Sequence, residues 1–189
     1  MTTSPSRRRV TLVGYRGCGK STVAAVLATR LGMPWVDADA VLEERVGRSI
    51  TDLVRDRGEP AFRDVETEVL ANLLAGEPCI LATGGGVVLR PRNRDLLRRG
   101  GRPVIWLHAP ADVVRARLAR DPATAARRPA LAGTDPLAEV DAALAAREPL
   151  YRACADAAFD AGAESPDAIA ARVIDWLEGW PGAGPEPAR

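Results

Sequence analysis

Short apolar runs alternate with amphipathic stretches along this chain from residue 10 onward. Val10–Gly14 is apolar and ends in glycine, which predicts a buried strand. Lys20–Leu31 places Val23, Val26, Leu27 and Leu31 at helical spacing, and Gly32-Met33-Pro34 ends that helix. Trp35–Asp37 reads as a second strand and Ala40–Val46 as a short helix. Ser49 with Asp52 three residues on is close to a capping box and opens a helix over Ile50–Arg57. A longer amphipathic helix follows at Ala61–Leu74, then a strand at Cys79–Thr83, a helix at Arg92–Arg99, a strand at Pro103–His108 and a helix at Ala111–Arg120. Asp121–Pro136 is polar and irregular. Pro136–Cys154 has a helical pattern, with Pro149 against its continuity. A short strand at Ala157–Asp160 and a helix at Pro166–Glu178, capped by Ser165, close the pattern. Five strands separated by helices predict an α/β fold: a central five-stranded parallel sheet between two helical layers. Ligands in such sheets bind beyond the carboxyl ends of the strands. Those ends are Gly14, Asp37, Thr83 and His108 for the first four strands.

Composition narrows the classes. At 189 residues, 47% hydrophobic and 27% charged, the chain has the make-up of a soluble globular domain. That domain is expected over 7–178, with disorder at 1–6 and in the Gly/Pro-rich tail 179–189. A net charge of +1 gives no global field for nucleic acid or a membrane surface. Neither partner is expected, and the chain reads as a monomer. No apolar run approaches the roughly 20 residues of a membrane span. Cys18, Cys79 and Cys154 are widely spaced, and His108 is the lone histidine. This excludes a disulfide scaffold or a Cys/His zinc site and fits a reducing cytoplasm. Arginine outnumbers lysine 25 to 1, and the single lysine is Lys20. The place where arginine has not replaced lysine therefore needs a compact ammonium. In the same chain any one arginine is weak evidence of function.

Gly14-Tyr15-Arg16-Gly17-Cys18-Gly19-Lys20-Ser21 matches GxxxxGK[ST], preceded by a predicted strand and followed by a predicted helix. Its glycines let successive backbone N–H groups curl toward one anion, and the helix start aims its positive end at the same point. In such a loop Lys20 reaches the β- and γ-phosphates of a nucleoside triphosphate, and Ser21 is a ligand for Mg²⁺. Gly17, Cys18, Gly19 and Thr22 complete the phosphate cradle. Phosphate binding alone does not separate a switch, a motor and a small-molecule kinase.

Four further clusters bear on that choice. Asp37 and Asp39 stand at the end of the second strand, where one carboxylate suits Mg²⁺ and the other an acceptor hydroxyl; Asp39 could equally cap the next helix. Arg63 and Glu66 lie one helical turn apart in GEPAFRDVE, a spacing that serves either a solvated ion pair or a guanidinium preorganised for a carboxylate. Thr83 leads into Gly84-Gly85-Gly86, where backbone can approach a ligand closely. Arg127-Arg128-Pro129 lies in the irregular segment, which reads as a lid over about 121–136. Arg147 follows it in REPLY. His108 reads as a packing or capping residue.

In order, GYRGCGKST, VDAD, GEPAFRDVE, ATGGG, RRPAL and REPLY resemble the motifs of the shikimate kinase family, across roughly residues 10–178. The resemblance implies a P-loop NTPase fold of nucleoside-monophosphate-kinase type, with a lid and a substrate-binding region over about 37–66. It implies ATP-dependent phosphorylation of shikimate with Mg²⁺. Carried over by position, Asp39 orients or deprotonates the acceptor hydroxyl, and Arg63 and Arg147 grip the carboxylate. Gly84, Gly85 and Gly86 line the acceptor site, Glu66 orients Arg63, and Ser21 and Asp37 serve Mg²⁺. Lys20 and the lid's Arg128 contact the phosphates. The arginine that stacks on adenine is Arg117 or Arg120, with Arg117 preferred. The lid departs from the family's RPLL, reading RPAL after a longer lead-in. A related kinase for gluconate or a nucleotide, or a nucleotide-dependent switch, are the other readings.

Overall fold

A computed structural model of the chain describes residues 9–120 and 140–181. The expected lid, with Arg128, the expected disordered end at 1–6, and the expected disordered tail 179–189 from residue 182 onward fall outside the described residues; Gly179 itself is the last residue of the closing helix. The elements are β1 (Val10–Val13), α1 (Lys20–Leu31), β2 (Trp35–Asp37), α2 (Ala38–Val46), α3 (Ile50–Ala75), β3 (Ile80–Ala82), a 3-10 turn (Val87–Leu89), α4 (Pro91–Gly100), β4 (Val104–His108), α5 (Ala111–Arg120), α6 (Val140–Cys154), β5 (Ala157–Asp160) and α7 (Pro166–Gly179).

The five strands form one parallel sheet in the order β2-β3-β1-β4-β5. The period of two along each strand sorts side chains to opposite faces. Val10, Leu12, Ile80, Ala82, Ile105 and Leu107 enter one core with α1, α5 and α7. Val13, Leu81, Val104 and Trp106 enter the other with α3, α4 and α6. This is the three-layer α/β/α arrangement. No described helix is long and apolar enough to cross a membrane. β1 lies between β3 and β4, so the chain leaves it toward one half of the sheet and returns toward the other. The crevice at this switch in strand order lies beyond the carboxyl end of β1, where the glycine-rich loop begins.

The structure differs from the periodicity at three instructive places. First, α2 begins at Ala38, not Ala40. Asp37 is the residue in extended backbone that caps it, accepting the Asp39 N–H. Asp39 is therefore inside the first turn and is not the cap. Second, the two helices expected on either side of residues 58–60 run as one element interrupted at Gly58, whose φ of 78° and ψ of 164° are non-helical. Pro60 stands just past the break, where its missing N–H costs little. Third, α6 continues through Pro149. Both Pro149 and Ala145 are exposed, so water can reach the carbonyl that the proline leaves without a donor. A smaller core of Leu42, Ile50, Leu53, Phe62 and Val69 packs α2 against α3. It holds together the two helices that carry Asp39 and Arg63.

Candidate active site

A cleft of about 480 Å³ opens at the carboxyl edge of the sheet. The loop from Arg16 to Thr22 lines it, with Asp37, Asp39, Thr83 and Gly85 on one side and Arg117 and Ala161 on the other. Gly19 caps α1 in left-handed backbone and places no side chain on the helix's first N–H groups. Those groups have no partner inside a helix, so the loop can receive an anion at the positive end of the helix dipole. Lys20 is 8% exposed and donates from Nζ to the Tyr15 carbonyl at 2.9 Å. The ammonium is thereby held within the loop it serves.

Ser21 Oγ donates to Asp37 Oδ2 at 2.7 Å, while Asp37 Oδ1 accepts the Asp39 N–H at 3.0 Å. Helix α1 and strand β2 thus bring a hydroxyl and a carboxylate into contact beside the phosphate loop. Such a hard-oxygen pair can hold a divalent cation together with phosphate oxygens. Among the described residues no group of three or more His, Cys, Asp or Glu could hold a metal ion.

Arg63 and Glu66 are each 6% exposed, which overturns the solvated reading of that pair. Arg63 Nη1 donates to both Glu66 oxygens at 3.0 and 2.9 Å. Its Nε and Nη2 donate to Glu59 Oε1 at 3.2 and 2.9 Å. Burial would push the guanidinium's pKa down, but the Glu66 and Glu59 carboxylates outweigh it and hold it above the ordinary value. Gly86 closes the site from the other direction: a Cβ there would meet Nη1 at 2.3 Å and Nη2 at 2.4 Å. The absence of a side chain at Gly86 is what leaves room for the guanidinium there.

Arg147, on α6, rests over the Tyr15 ring at 5.2 Å, with Nη1 3.4 Å from the Gly85 carbonyl. The Tyr151 hydroxyl donates to the same carbonyl. Burial raises the Tyr151 phenol's pKa still further above neutrality. Gly84, Gly85 and Gly86 are all buried, and Thr83 ties the run to β1 through the Leu12 carbonyl at 2.9 Å. Of the two candidates for the adenine side, Arg117 reaches the cleft, donating to the Gly17 carbonyl at 3.3 Å and the Ala161 carbonyl at 2.7 Å. Arg120 is exposed and does not line it. Cys18 is buried in the loop; burial pushes its thiol pKa up, against Lys20 and Arg117. His108 packs on Trp106 at 5.0 Å, as a structural residue would.

The topology therefore gathers the phosphate loop, Asp37, Asp39, Arg63, Gly84–Gly86, Arg117 and Arg147 at one end of the sheet. Sequence reasoning assigned no role to Glu59, Tyr15 or Tyr151. Glu59 stands four residues before Arg63, and Tyr151 four after Arg147, both at helix-contact spacing. Nothing in the local sequence signals that the Tyr15 ring carries Arg147.

A sequence model of the family described as shikimate kinase matches residues 16–178. A shikimate kinase of Rhodopirellula baltica is 42% identical over 163 residues, covering 86% of this chain and 87% of the relative. One of Nitratidesulfovibrio vulgaris is 47% identical over 143 residues, covering 76% and 81%. Among solved structures, shikimate kinase from Acinetobacter baumannii in complex with shikimate superposes with a TM-score of 0.85 at 31% identity, covering 92% of this chain and 94% of that one.

Proposed function

The chain belongs to the shikimate kinase family, and from that premise we propose that it transfers the γ-phosphoryl group of ATP to the 3-hydroxyl of shikimate. The products are shikimate 3-phosphate and ADP, in the biosynthesis of aromatic amino acids. The observation that carries the reading is a glycine run that joins a phosphate loop to a buried, carboxylate-held guanidinium: Gly85 packs on the loop at Tyr15 and Arg16, and Gly86 packs on Arg63.

In this reading the triphosphate lies along Gly17–Thr22, and Lys20 turns from the Tyr15 carbonyl to the β- and γ-oxygens. Ser21 and Asp37 fit Mg²⁺: they are oxygen donors already in contact at 2.7 Å, and Mg²⁺ ordinarily takes one or two protein ligands beside phosphates. When bound, Mg²⁺ supplies charge neutralisation of the phosphate oxygens. Asp39 orients the attacked hydroxyl and takes its proton. Arg63, oriented by Glu66, and Arg147, shelved on Tyr15, hold the carboxylate against Gly84, Gly85 and Gly86. Arg117 packs on the adenine side, and Arg128 reaches the phosphates from the lid. Positioning and preorganised charge provide most of the rate, as phosphoryl transfer needs little covalent help. Three free, buried cysteines suit the cytoplasm.

The test is ADP release measured with shikimate, quinate, gluconate and AMP in turn. Strong stimulation by shikimate is expected. Stimulation by gluconate or AMP instead would replace the acceptor, and slow turnover indifferent to any acceptor would favour a nucleotide-dependent switch.

A further inference from the structure

Arg63 has no open edge for a ligand. Each of its three nitrogens already donates to a carboxylate, Nε and Nη2 to Glu59 and Nη1 to Glu66. Gly86 fills the approach to Nη1 and Nη2, since an added Cβ would stand 2.3 and 2.4 Å from them. The Arg63 side chain is 7% exposed, and it does not line the cleft that reaches Asp39. A ligand carboxylate that forms two parallel N–H···O bonds to a guanidinium must therefore displace one of the two glutamates.

The two are not equivalent. Glu66 is 7% exposed, and moving it would strand a charge in the interior. Glu59 is 38% exposed, so its carboxylate can return to water. It also follows Gly58, whose φ of 78° and ψ of 164° break the helix at that point. The residue after it, Pro60, has no N–H to bind the chain into a helical ladder. Glu59 is thus carried at the break in α3, while Arg63 and Glu66 are fixed in the regular helix beyond it.

We propose that Glu59 is a resident stand-in for the acceptor: its carboxylate occupies the Nε–Nη2 edge of Arg63 in the ligand-free enzyme and is exchanged for the substrate's carboxylate on binding. The inference rests on the reading of Arg63 as the acceptor-carboxylate site. It adds a specificity device. A buried guanidinium stays paired before and after binding, and only a ligand that brings its own negative charge can replace Glu59. The affinity for shikimate is then the difference between two carboxylates competing for one edge.

The experiment is the equilibrium Kd of the full chain for shikimate in Glu59→Gln and Glu59→Ala, with melting temperature and the Kd for ADP as controls for general damage. Both variants are expected to bind shikimate about three- to fivefold more tightly, the range a partly exposed ion pair can withhold. The gain should vanish with shikimate methyl ester, which carries no charge to exchange. An unchanged or weakened Kd in the folded variants overturns the exchange; weakening would make Glu59 a positioning residue for Arg63. Arg63→Ala separates the two levels. If it abolishes shikimate binding while the Glu59 variants show no tightening, the exchange alone fails. If folded Arg63→Ala binds shikimate as the parent does, the acceptor-site reading fails and the exchange with it.

Discussion

Replacing Gly86 with alanine isolates the contact between the glycine run and Arg63. The backbone at residue 86 has φ −103° and ψ 2°, a bridge-region conformation open to alanine, so the substitution adds little strain of its own. The added methyl carbon would lie 2.3 Å from Nη1, 2.4 Å from Nη2 and 2.6 Å from Cζ. Ordinary contact needs about 3.5 Å, so the guanidinium must retreat by roughly 1 Å. Its bonds to Glu66 now measure 2.9 and 3.0 Å, and a retreat of that size lengthens them past hydrogen-bonding range or drags Glu66 along. Losing one well-aligned charge-assisted hydrogen bond to the acceptor costs about 1.5–3 kcal/mol, which weakens shikimate binding about ten- to a hundredfold. Calorimetric titration with shikimate and with ADP reads the two halves of the site separately. The ADP affinity should stay within about twofold. A shikimate Kd unchanged in a folded Gly86→Ala protein would refute the argument, because the guanidinium could then not be needed where Gly86 holds it.

Other expectations follow from the same contacts. Lys20→Arg keeps the charge but puts a planar fork where a compact ammonium is buried against the Tyr15 carbonyl; kcat should fall at least about a hundredfold with the melting temperature nearly kept, and near-parental turnover would show that charge alone suffices. Arg9 is 7% exposed and donates to the carbonyls of Leu74, Gly76 and Glu77 at the end of α3. Arg9→Ala should lower unfolding free energy in urea by about 2 kcal/mol; an unmoved midpoint would mean that water replaces the side chain. Burial raises the pKa values of Cys18, Cys154 and Tyr151 in the fold. On raising the pH, these groups ionise first in the unfolded chain, which sheds protons that the folded chain keeps. Their contribution is complete below their ordinary pKa range and is lost above it, so stability should decline from about pH 8.5 upward. A urea midpoint that rises with pH over that range, or a decline unaltered by Tyr151→Phe and Cys18→Ser together, would contradict this assignment.

How far these features were legible depends on how local their physics is. The phosphate loop is contiguous: strand, glycines, Lys20 and helix are neighbours in sequence, and the structure keeps that order. The sheet was equally readable, because buried parallel strands are short apolar runs and the helices between them carry a clear period. The sequence-level ambiguities arose where one residue could serve two purposes. Asp39 could either face an acceptor or cap α2, and the backbone decides it: Asp37, in extended backbone, is the cap and Asp39 lies inside the first turn. The two helical patterns on either side of Gly58 and Pro60 run as one element with its break at Gly58, and no propensity says that Glu59 there turns toward Arg63. Tyr15 could not be read at all, since its partner Arg147 comes from α6 and meets it only through the fold.

The arginines make the same point more sharply. With 25 of them, composition could not distinguish one that binds a ligand from one that braces the fold. Burial does not distinguish them either: Arg9 and Arg63 are 7% and 6% exposed. Their partners do. Arg9 donates to backbone carbonyls at a helix end, neutral groups fixed by the main chain, and a ligand that took those donors would undo the end of α3. Arg63 donates to two carboxylates, one buried and one partly exposed. On the proposed reading, exchanging the exposed carboxylate for a ligand's leaves every buried group satisfied. A buried guanidinium can serve as a binding site when at least one of its anionic partners can be replaced without uncovering another polar group, and by that criterion Arg63 is the candidate where Arg9 is not.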